Sequence, residues 1–265
     1  MFGFVQRYYE GRIGRADLEG GEFVVHRCAG CGFAWQGCVL DERGMSLLYE
    51  RWIDQTLSRR KKDGADVDRA MRAGAEVACA CRWLGRRPHE VSALDFGMGW
   101  GHWAGVARAF GLSVAGLEVS GERVASARAR GVEAVGSLDE LSGRRFEFIR
   151  ANQVFEHLNA PLVALRALAG LAAPGGLVHV VVPDCTGALA RVAEVEAGGG
   201  WSAAKDELHP LEHINYFTPG SLVSMAHRAG LERVTLSAPL MSCGVDIRAM
   251  LPSGAASVFF TPRAG

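Results

Sequence analysis

Apolar positions along this chain change their spacing in a regular alternation from about residue 64 onward. Val67, Met71, Gly74, Val77, Cys81 and Leu84 recur at helical intervals. The short apolar run Val91 to Phe96 then reads as a strand. The same exchange repeats: helix His102 to Phe110, strand Ser113 to Glu118, helix Gly121 to Arg130 behind the cap Ser120, and a short strand Glu133 to Val135. Phe146 to Ile149 reads as a fourth strand, and Asn159, Pro161 and Leu162 open a helix reaching Leu171. Pro174-Gly175-Gly176 predicts a turn into Leu177 to Val182, a strand apolar on both faces. Strands of that kind, separated by helices, imply a mostly parallel sheet covered on both sides, an α/β fold. Near the end, Thr218-Pro219 starts a helix with Leu222, Val223, Met225 and Ala226 inward and Gly230 as its stop. Two last strands, Arg233 to Leu236 and Ser257 to Thr261, follow with no helix between them.

Residues 1–60 follow a different pattern, and the expected division is a small N-terminal module over 1–60 and a larger domain over 61–265. Glu22 to Arg27 reads as a strand. It runs into Cys28-Ala29-Gly30-Cys31-Gly32, a knuckle-like turn, and a second short strand. Met45 to about Leu57 has helical spacing. Cys28-x-x-Cys31 is half of a zinc-knuckle ligand set, which Cys38 and His26 could complete; the alternative is a knuckle folded by hydrophobic contact without metal. The basic run Arg59 to Lys62 is short and reads as a solvated linker or helix start.

The most specific chemistry lies between residues 94 and 118. Leu94-Asp95-Phe96-Gly97-Met98-Gly99-Trp100-Gly101 is an apolar strand ending in an acid, followed by alternating glycines. About twenty residues later a second apolar run ends in Glu118. A strand, a glycine turn and a helix, with an acid at the tip of the next strand, form a nucleotide cradle in which the acid holds ribose hydroxyls. The register excludes the usual dinucleotide fingerprint. The last glycine of G-x-G-x-x-G falls on His102, and Asp95 adds a carboxylate.

This D-x-G-x-G-x-G segment resembles the first motif of the class I S-adenosylmethionine-dependent methyltransferases. The resemblance covers roughly residues 64–265 and implies a Rossmann-like seven-stranded sheet, with the two final strands at its antiparallel end. It implies that Gly97, Gly99 and Gly101 form the loop around the methionine part of S-adenosylmethionine. Asp95 would support that loop and the cofactor's amino group, and Glu118 would take the ribose. Asp139, in the segment Gly136 to Asp139 after the third strand, is the expected adenine contact, with Leu138 against the ring. Asn152-Gln153-Val154-Phe155-Glu156-His157-Leu158 is similar to a segment of small-molecule methyltransferases, and Asn152 and Gln153 are the expected cofactor neighbours. It lacks the prolines of the enzymes that methylate exocyclic amines of bases. The stretch His209 to Thr218 resembles a substrate-recognition segment of the same group. There His209, Glu212, Asn215 and Tyr216 are expected to meet the acceptor. The segment around Cys28 looks like the second half of the zinc module that several of these enzymes carry.

His157 and His213 are the candidate general bases, because imidazole titrates near neutrality. Both also have a purely structural alternative, fastening loops. His209 and His213 are four apart, but Pro210 interrupts the helix a metal pair would need. His179 sits within an apolar strand and reads as a satisfied core histidine.

Composition narrows the rest. In 265 residues, 29 basic and 29 acidic side chains balance, which argues against a broad surface for duplex nucleic acid. Seven cysteines, an odd number, form no disulfide framework and suit a reducing cytoplasm. The opening residues lack a signal-peptide pattern, and no apolar run approaches a membrane span. The expected activity is methyl transfer from S-adenosylmethionine to a small O- or N-acceptor: a sugar, a glycan precursor or a secondary metabolite. The alternatives are a cofactor-binding scaffold without catalysis, whose N-terminal module binds a partner, and a nucleotide-dependent oxidoreductase.

Overall fold

The computed structural model describes residues 2–54, 56, 67–190, 208, 210–236 and 254–263; the basic run Arg59 to Lys62 lies outside them. In chain order the N-terminal part holds α1 (Phe2–Tyr8), β1 (Val25–Arg27), β2 (Ala34–Gln36) and α2 (Glu42–Leu47). A π-helical turn, Leu48–Trp52, continues α2. The larger part holds α3 (Val67–Leu84), β3 (Ser92–Phe96), α4 (His102–Ala109), β4 (Ser113–Leu117), α5 (Gly121–Ala129), β5 (Glu133–Val135) and β6 (Phe146–Asn152). Then follow α6 (Pro161–Leu171), β7 (Ala172–Pro183), β8 (Asn215–Tyr216), α7 (Pro219–Arg228), β9 (Leu231–Val234) and β10 (Ala255–Pro262).

Seven strands form one sheet in the order β5-β4-β3-β6-β7-β10-β9. Neighbours from β5 to β7 run parallel, and β10 is antiparallel to both β7 and β9. The expected α/β fold and antiparallel end are therefore present. The helix starts follow local chemistry. The Ser120 hydroxyl accepts from the Arg123 amide, and Thr218 and Ser221 cap each other reciprocally ahead of α7. One expectation is corrected. Pro174 to Gly176 is not a turn before the strand but a wide bulge within β7. Phe146 pairs with Ala172 and Phe148 with Leu177, so residues 173–176 stand opposite Glu147 alone.

Alternation along each strand divides the core. Leu94, Phe96, Ile149, Ala151, Val178 and Val180 pack on one face with Leu165 and Leu168 of α6 and Leu222 of α7. Ala93, Phe148, Leu177 and Phe259 pack on the other face with Val77 of α3 and Trp103 of α4. That second face also carries charge. Asp95 and Arg150 are register partners on adjacent strands, and Arg150 Nη1 donates to Asp95 Oδ1 at 3.0 Å. Arg150 Nε donates to Glu76 Oε2 of α3 at 3.0 Å, and the guanidinium lies 5.3 Å from the centre of the Trp103 ring. His179 Nδ1 lies 2.5 Å from Glu76 Oε1, its Nε2 is 2.8 Å from the Ser257 hydroxyl, and its ring stacks on Phe259. His179 is thus the satisfied core histidine expected.

One guanidinium therefore serves two buried carboxylates. Burial pushes the Asp95 carboxyl up, against the pull of Arg150 and with the nearby negative charges of Glu76 and Glu118 adding to the rise. Glu76 is also opposed by burial, but Arg150 and His179 together hold it down to about 2.

The N-terminal part is joined to the rest by β8, which pairs with β2 to give a three-stranded antiparallel sheet, β1-β2-β8. Val5, Tyr9, Ile13, Leu48 and Trp52 bury themselves together with Leu211. Gln36 Nε2 donates to the His213 carbonyl at 2.9 Å and to the Tyr216 hydroxyl at 2.7 Å.

Arg150→Met is expected to destabilise the protein by about 3–5 kcal/mol in urea unfolding, because two buried carboxylates lose their cation. A loss below about 1 kcal/mol would contradict the network. The same network sets an acid response. Glu76 is depressed from 4.5 to about 2, so its contribution is present above the unfolded value and is lost as pH falls from 4.5 through about 2. Glu76→Gln should lack that part of the acid dependence when unfolding is followed against pH.

Candidate active site

The strand order reverses at β3, whose chain neighbour β4 lies on one side and β6 on the other; ligands of open α/β sheets bind beyond such a point. A cleft of about 1520 Å³ opens there. Gly97 and Gly99 on the first loop, Glu118 after β4, and Asn152, Gln153 and His157 after β6 all line it.

The loop after β3 is shaped by its glycines and by Glu118. Gly97, Gly99 and Gly101 have φ of +70°, +55° and +74°. At Gly97 a Cβ would also collide with the side chain of Val154, so the two loops close on each other only because this position is glycine. The amides of Gly97 and Met98 both donate to the Leu117 carbonyl at 2.9 Å. Glu118 then clasps the loop. Its Oε2 accepts from the Gly99 amide at 3.0 Å and its Oε1 from the Ser120 amide at 3.0 Å. Arg123 Nη1 stands 3.6 Å from the same carboxylate. Gly101 caps α4 and lines a smaller neighbouring hollow rather than the main cleft.

Gln153 is a non-glycine residue at φ +56°. Its amide donates to the Val181 carbonyl at 2.8 Å, which fixes the bend at the end of β6. A side chain held in this region is strained, and such strain gathers at binding sites.

Two residues expected beside the cofactor lie off the cleft wall. Asp95 is fully buried against Arg150 and is absent from the cleft wall; its place on the inner face of β3 gives it to the core network. Asp139 begins the 3₁₀ turn Asp139–Leu141 and also stays off the cleft wall, while Glu140 accepts from the amides of Gly136 and Ser137.

Of the expected acceptor contacts, Glu212 lines the cleft and accepts from the Tyr9 hydroxyl at 2.8 Å. Asn215 and Tyr216 do not. Asn215 is buried, with its amide group donating to the carbonyls of Phe155 at 3.0 Å and Leu158 at 2.6 Å. Tyr216 is buried with its hydroxyl on Gln36. Both belong to β8, and they tie the segment after β6 and the N-terminal sheet together. His209 lies outside the described residues. His157 Nδ1 meets the Glu212 carbonyl at 2.7 Å, and its ring stands edge-on to His213 with centres 5.0 Å apart. Glu156, beside it, is 1% exposed, and burial pushes its carboxyl up to about 8.

The Cys28–Cys31–Cys38 metal set is also corrected. The knuckle closes through backbone bonds, Cys28 N to Phe33 O and Gly32 N to Cys28 O. Phe33 anchors it on Phe217, with ring centres 5.0 Å apart. Among the described residues, no third ligand atom joins the two thiols; Cys38 is exposed and His26 packs on Trp35.

Sequence reasoning missed several residues of the wall. Tyr49 and Met45 reach it from the N-terminal part, and Arg69, Arg72 and Arg150 also line it. The signal for Arg150 was present: an arginine inside the otherwise apolar run Phe148 to Ala151. Val119, after Glu118, is apolar yet 83% exposed at the cleft.

Sheet order, glycine loop and acid-clasped cleft together define a class, the S-adenosylmethionine-dependent methyltransferases. The chain belongs to the methyltransferase-domain family, whose sequence model matches residues 43–236. Among solved structures it is similar to the plantazolicin methyltransferase BamL in complex with a triazolic desmethylPZN analog and SAH (13% identity, TM-score 0.61, 83% of this chain and 94% of that one). It is similar also to magnesium protoporphyrin IX methyltransferase ChlM from Synechocystis PCC 6803 with bound SAH (13%, 0.56, 84% and 100%). A third is the CcbJ methyltransferase from Streptomyces caelestis (18%, 0.50, 71% and 90%). At these identities the likeness is one of fold. None of the curated proteins matches the chain. Among the described residues no helix is long and apolar enough to cross a membrane.

Gln153→Gly should raise the unfolding free energy by about 1 kcal/mol, by releasing a side chain from left-handed backbone. A loss of stability in thermal or urea unfolding would show that the side chain itself holds the bend.

Proposed function

We propose that this protein transfers a methyl group from S-adenosylmethionine to a small-molecule acceptor bound at the His157 end of the cleft. The observation that carries the reading is the Glu118 clasp. Each carboxylate oxygen already accepts one backbone N–H, from Gly99 or Ser120, and an ionised carboxylate has about four acceptor sites. Both oxygens therefore keep a lone pair for the vicinal hydroxyls of a ribose. Val119, exposed beside them, offers an apolar surface to the adenine. Arg69 and Arg72 on the wall bring positive charge suited to the carboxylate of the methionine part. Asn152 and Gln153 face the same space from the end of β6.

When bound, S-adenosylmethionine supplies a methyl group already activated on a sulfonium. What the chain must add is alignment and exclusion of water. Tyr49, Met45 and Ile53 wall the cleft from the N-terminal side, so the stretch from Met45 to Ile53 covers part of the site. Burial and the nearby Glu212 charge push the Tyr49 hydroxyl up to about 12, which keeps that wall neutral. At the acceptor end stand His157 and Glu212, with His213 packed on His157. These side chains hold the polar group of the acceptor at this end of the cleft. The closed, partly apolar wall and the polar cluster at one end favour a compact polar acceptor such as a sugar or a secondary metabolite.

Calorimetry should show one equivalent of S-adenosylmethionine bound and no binding of NADH; the reverse would favour an oxidoreductase. Glu118→Ala should weaken donor binding by about 1.5–3 kcal/mol, the size of charge-assisted hydrogen bonds. Unchanged affinity would remove the ribose assignment. His157→Phe should lower turnover while donor affinity stays close to that of the parent, and equal turnover would relieve His157 of its role.

A further inference from the structure

The segment after β6 and the segment before β8 are stitched together by several hydrogen bonds. Asn215 Nδ2 bridges the carbonyls of Phe155 and Leu158, and the Ile214 amide donates to the Glu156 carbonyl at 2.8 Å. This stitching brings Glu156 and His157 of one segment against His213 of the other. One ligand atom from each of the three residues lies within 4.8 Å of the others, a grouping of His, Cys, Asp or Glu that occurs once among the described residues.

Two features of the group are those of a metal site rather than of a loop fastening. First, Glu156 is 1% exposed, and neither of its carboxylate oxygens has a hydrogen-bond partner among the described residues. A buried carboxyl that carries its charge is paired, hydrogen-bonded or bound to metal. The Glu156 Oε1 atom faces His157 Nε2 at 3.7 Å, too long for a hydrogen bond. Second, the Glu212 carbonyl 2.7 Å from His157 Nδ1 can only accept, so that nitrogen carries the hydrogen, and in the neutral ring Nε2 carries the lone pair. An imidazole anchored through a carbonyl on one nitrogen, with the other turned to a carboxylate, is how metal-binding histidines are held.

We propose that Glu156, His157 and His213 bind one divalent transition-metal cation of the zinc type. Two imidazoles and a single carboxylate suit zinc and its first-row neighbours; magnesium and calcium require more oxygen donors. Ligands about 2.0–2.1 Å from such an ion stand about 3.3 Å apart in a tetrahedron, so the Glu156–His157 pair at 3.7 Å needs little contraction, and the whole group, within 4.8 Å, closes by at most about 1.5 Å. His157 lies on the cleft wall, which places the ion beside the acceptor end of the cleft. There the ion holds a polar acceptor group, and His157 acts as its ligand in place of a free base. That use of the ion rests on the methyltransferase reading above; the binding itself does not.

The test uses the full-length protein, stripped with a chelator and titrated with Co²⁺ as a coloured probe and with Zn²⁺ in equilibrium dialysis. Donor affinity is measured calorimetrically on the same samples. The parent should bind one equivalent of either ion. Glu156→Gln and His213→Ala should each weaken binding by at least about tenfold. A Cys28→Ser, Cys31→Ser variant should keep the full equivalent. Circular dichroism confirms folding, and His213→Ala, at a partly exposed position, decides the matter if the buried Glu156→Gln variant does not fold. No uptake by the parent, uptake that persists unweakened in His213→Ala, or uptake lost with the two cysteines would overturn the site. Metal uptake without S-adenosylmethionine binding would support the cation site while refuting the function it is assigned to.

Discussion

The guanidinium of Arg150 is the interaction on which the cofactor side of this molecule depends. It fastens Asp95 at the end of β3 and Glu76 on α3 to the neighbouring strand β6, and His179 and Ser257 extend the contact to β7 and β10. Buried ion pairs add little net stability against a hydrophobic substitute, yet breaking one leaves a charge stranded. The network thus sets where α3 sits relative to the strand that ends in the glycine loop. Its edge is exposed to the cleft, because Arg150 and Glu76 belong both to the core and to the wall.

From that frame the cleft follows in two halves with different physics. One is made of backbone: glycines at positive φ, paired amides on the Leu117 carbonyl, and one carboxylate, Glu118, that shapes the loop while keeping acceptor capacity. The other is made of side chains on two loops tied by Asn215. The N-terminal sheet holds the second of these loops through β8, Gln36 and Tyr9, so residues distant in sequence shape where Glu212 and His157 stand.

The fold was readable in the sequence almost element by element, because alternation of strand and helix periods is a local property. The glycine loop and Glu118 were readable for the same reason. The burial of Asp95 was not. Which way Asp95 faces depends on Arg150, a partner more than fifty residues away. Asn215 and Tyr216 look like substrate residues by composition and turn out to be structural, since strand β8 pairs with an N-terminal hairpin whose arrival no local pattern announces. Cys28-x-x-Cys31 has the spacing of a metal half-site, but among the described residues no third ligand joins it, and Phe33 on Phe217 anchors the knuckle. The group of Glu156, His157 and His213 needs two segments more than fifty residues apart, which spacing cannot reveal.

The central claim is that the space between Gly99 and Glu118 is a donor site. A crystal structure of the protein with S-adenosylhomocysteine tests it most directly. The account predicts the ribose hydroxyls on Glu118, the adenine beside Val119 and the homocysteine part running along the loop from Gly97 to Gly99 toward Asn152. An empty cleft at saturating ligand, or the nucleoside bound elsewhere, would contradict it.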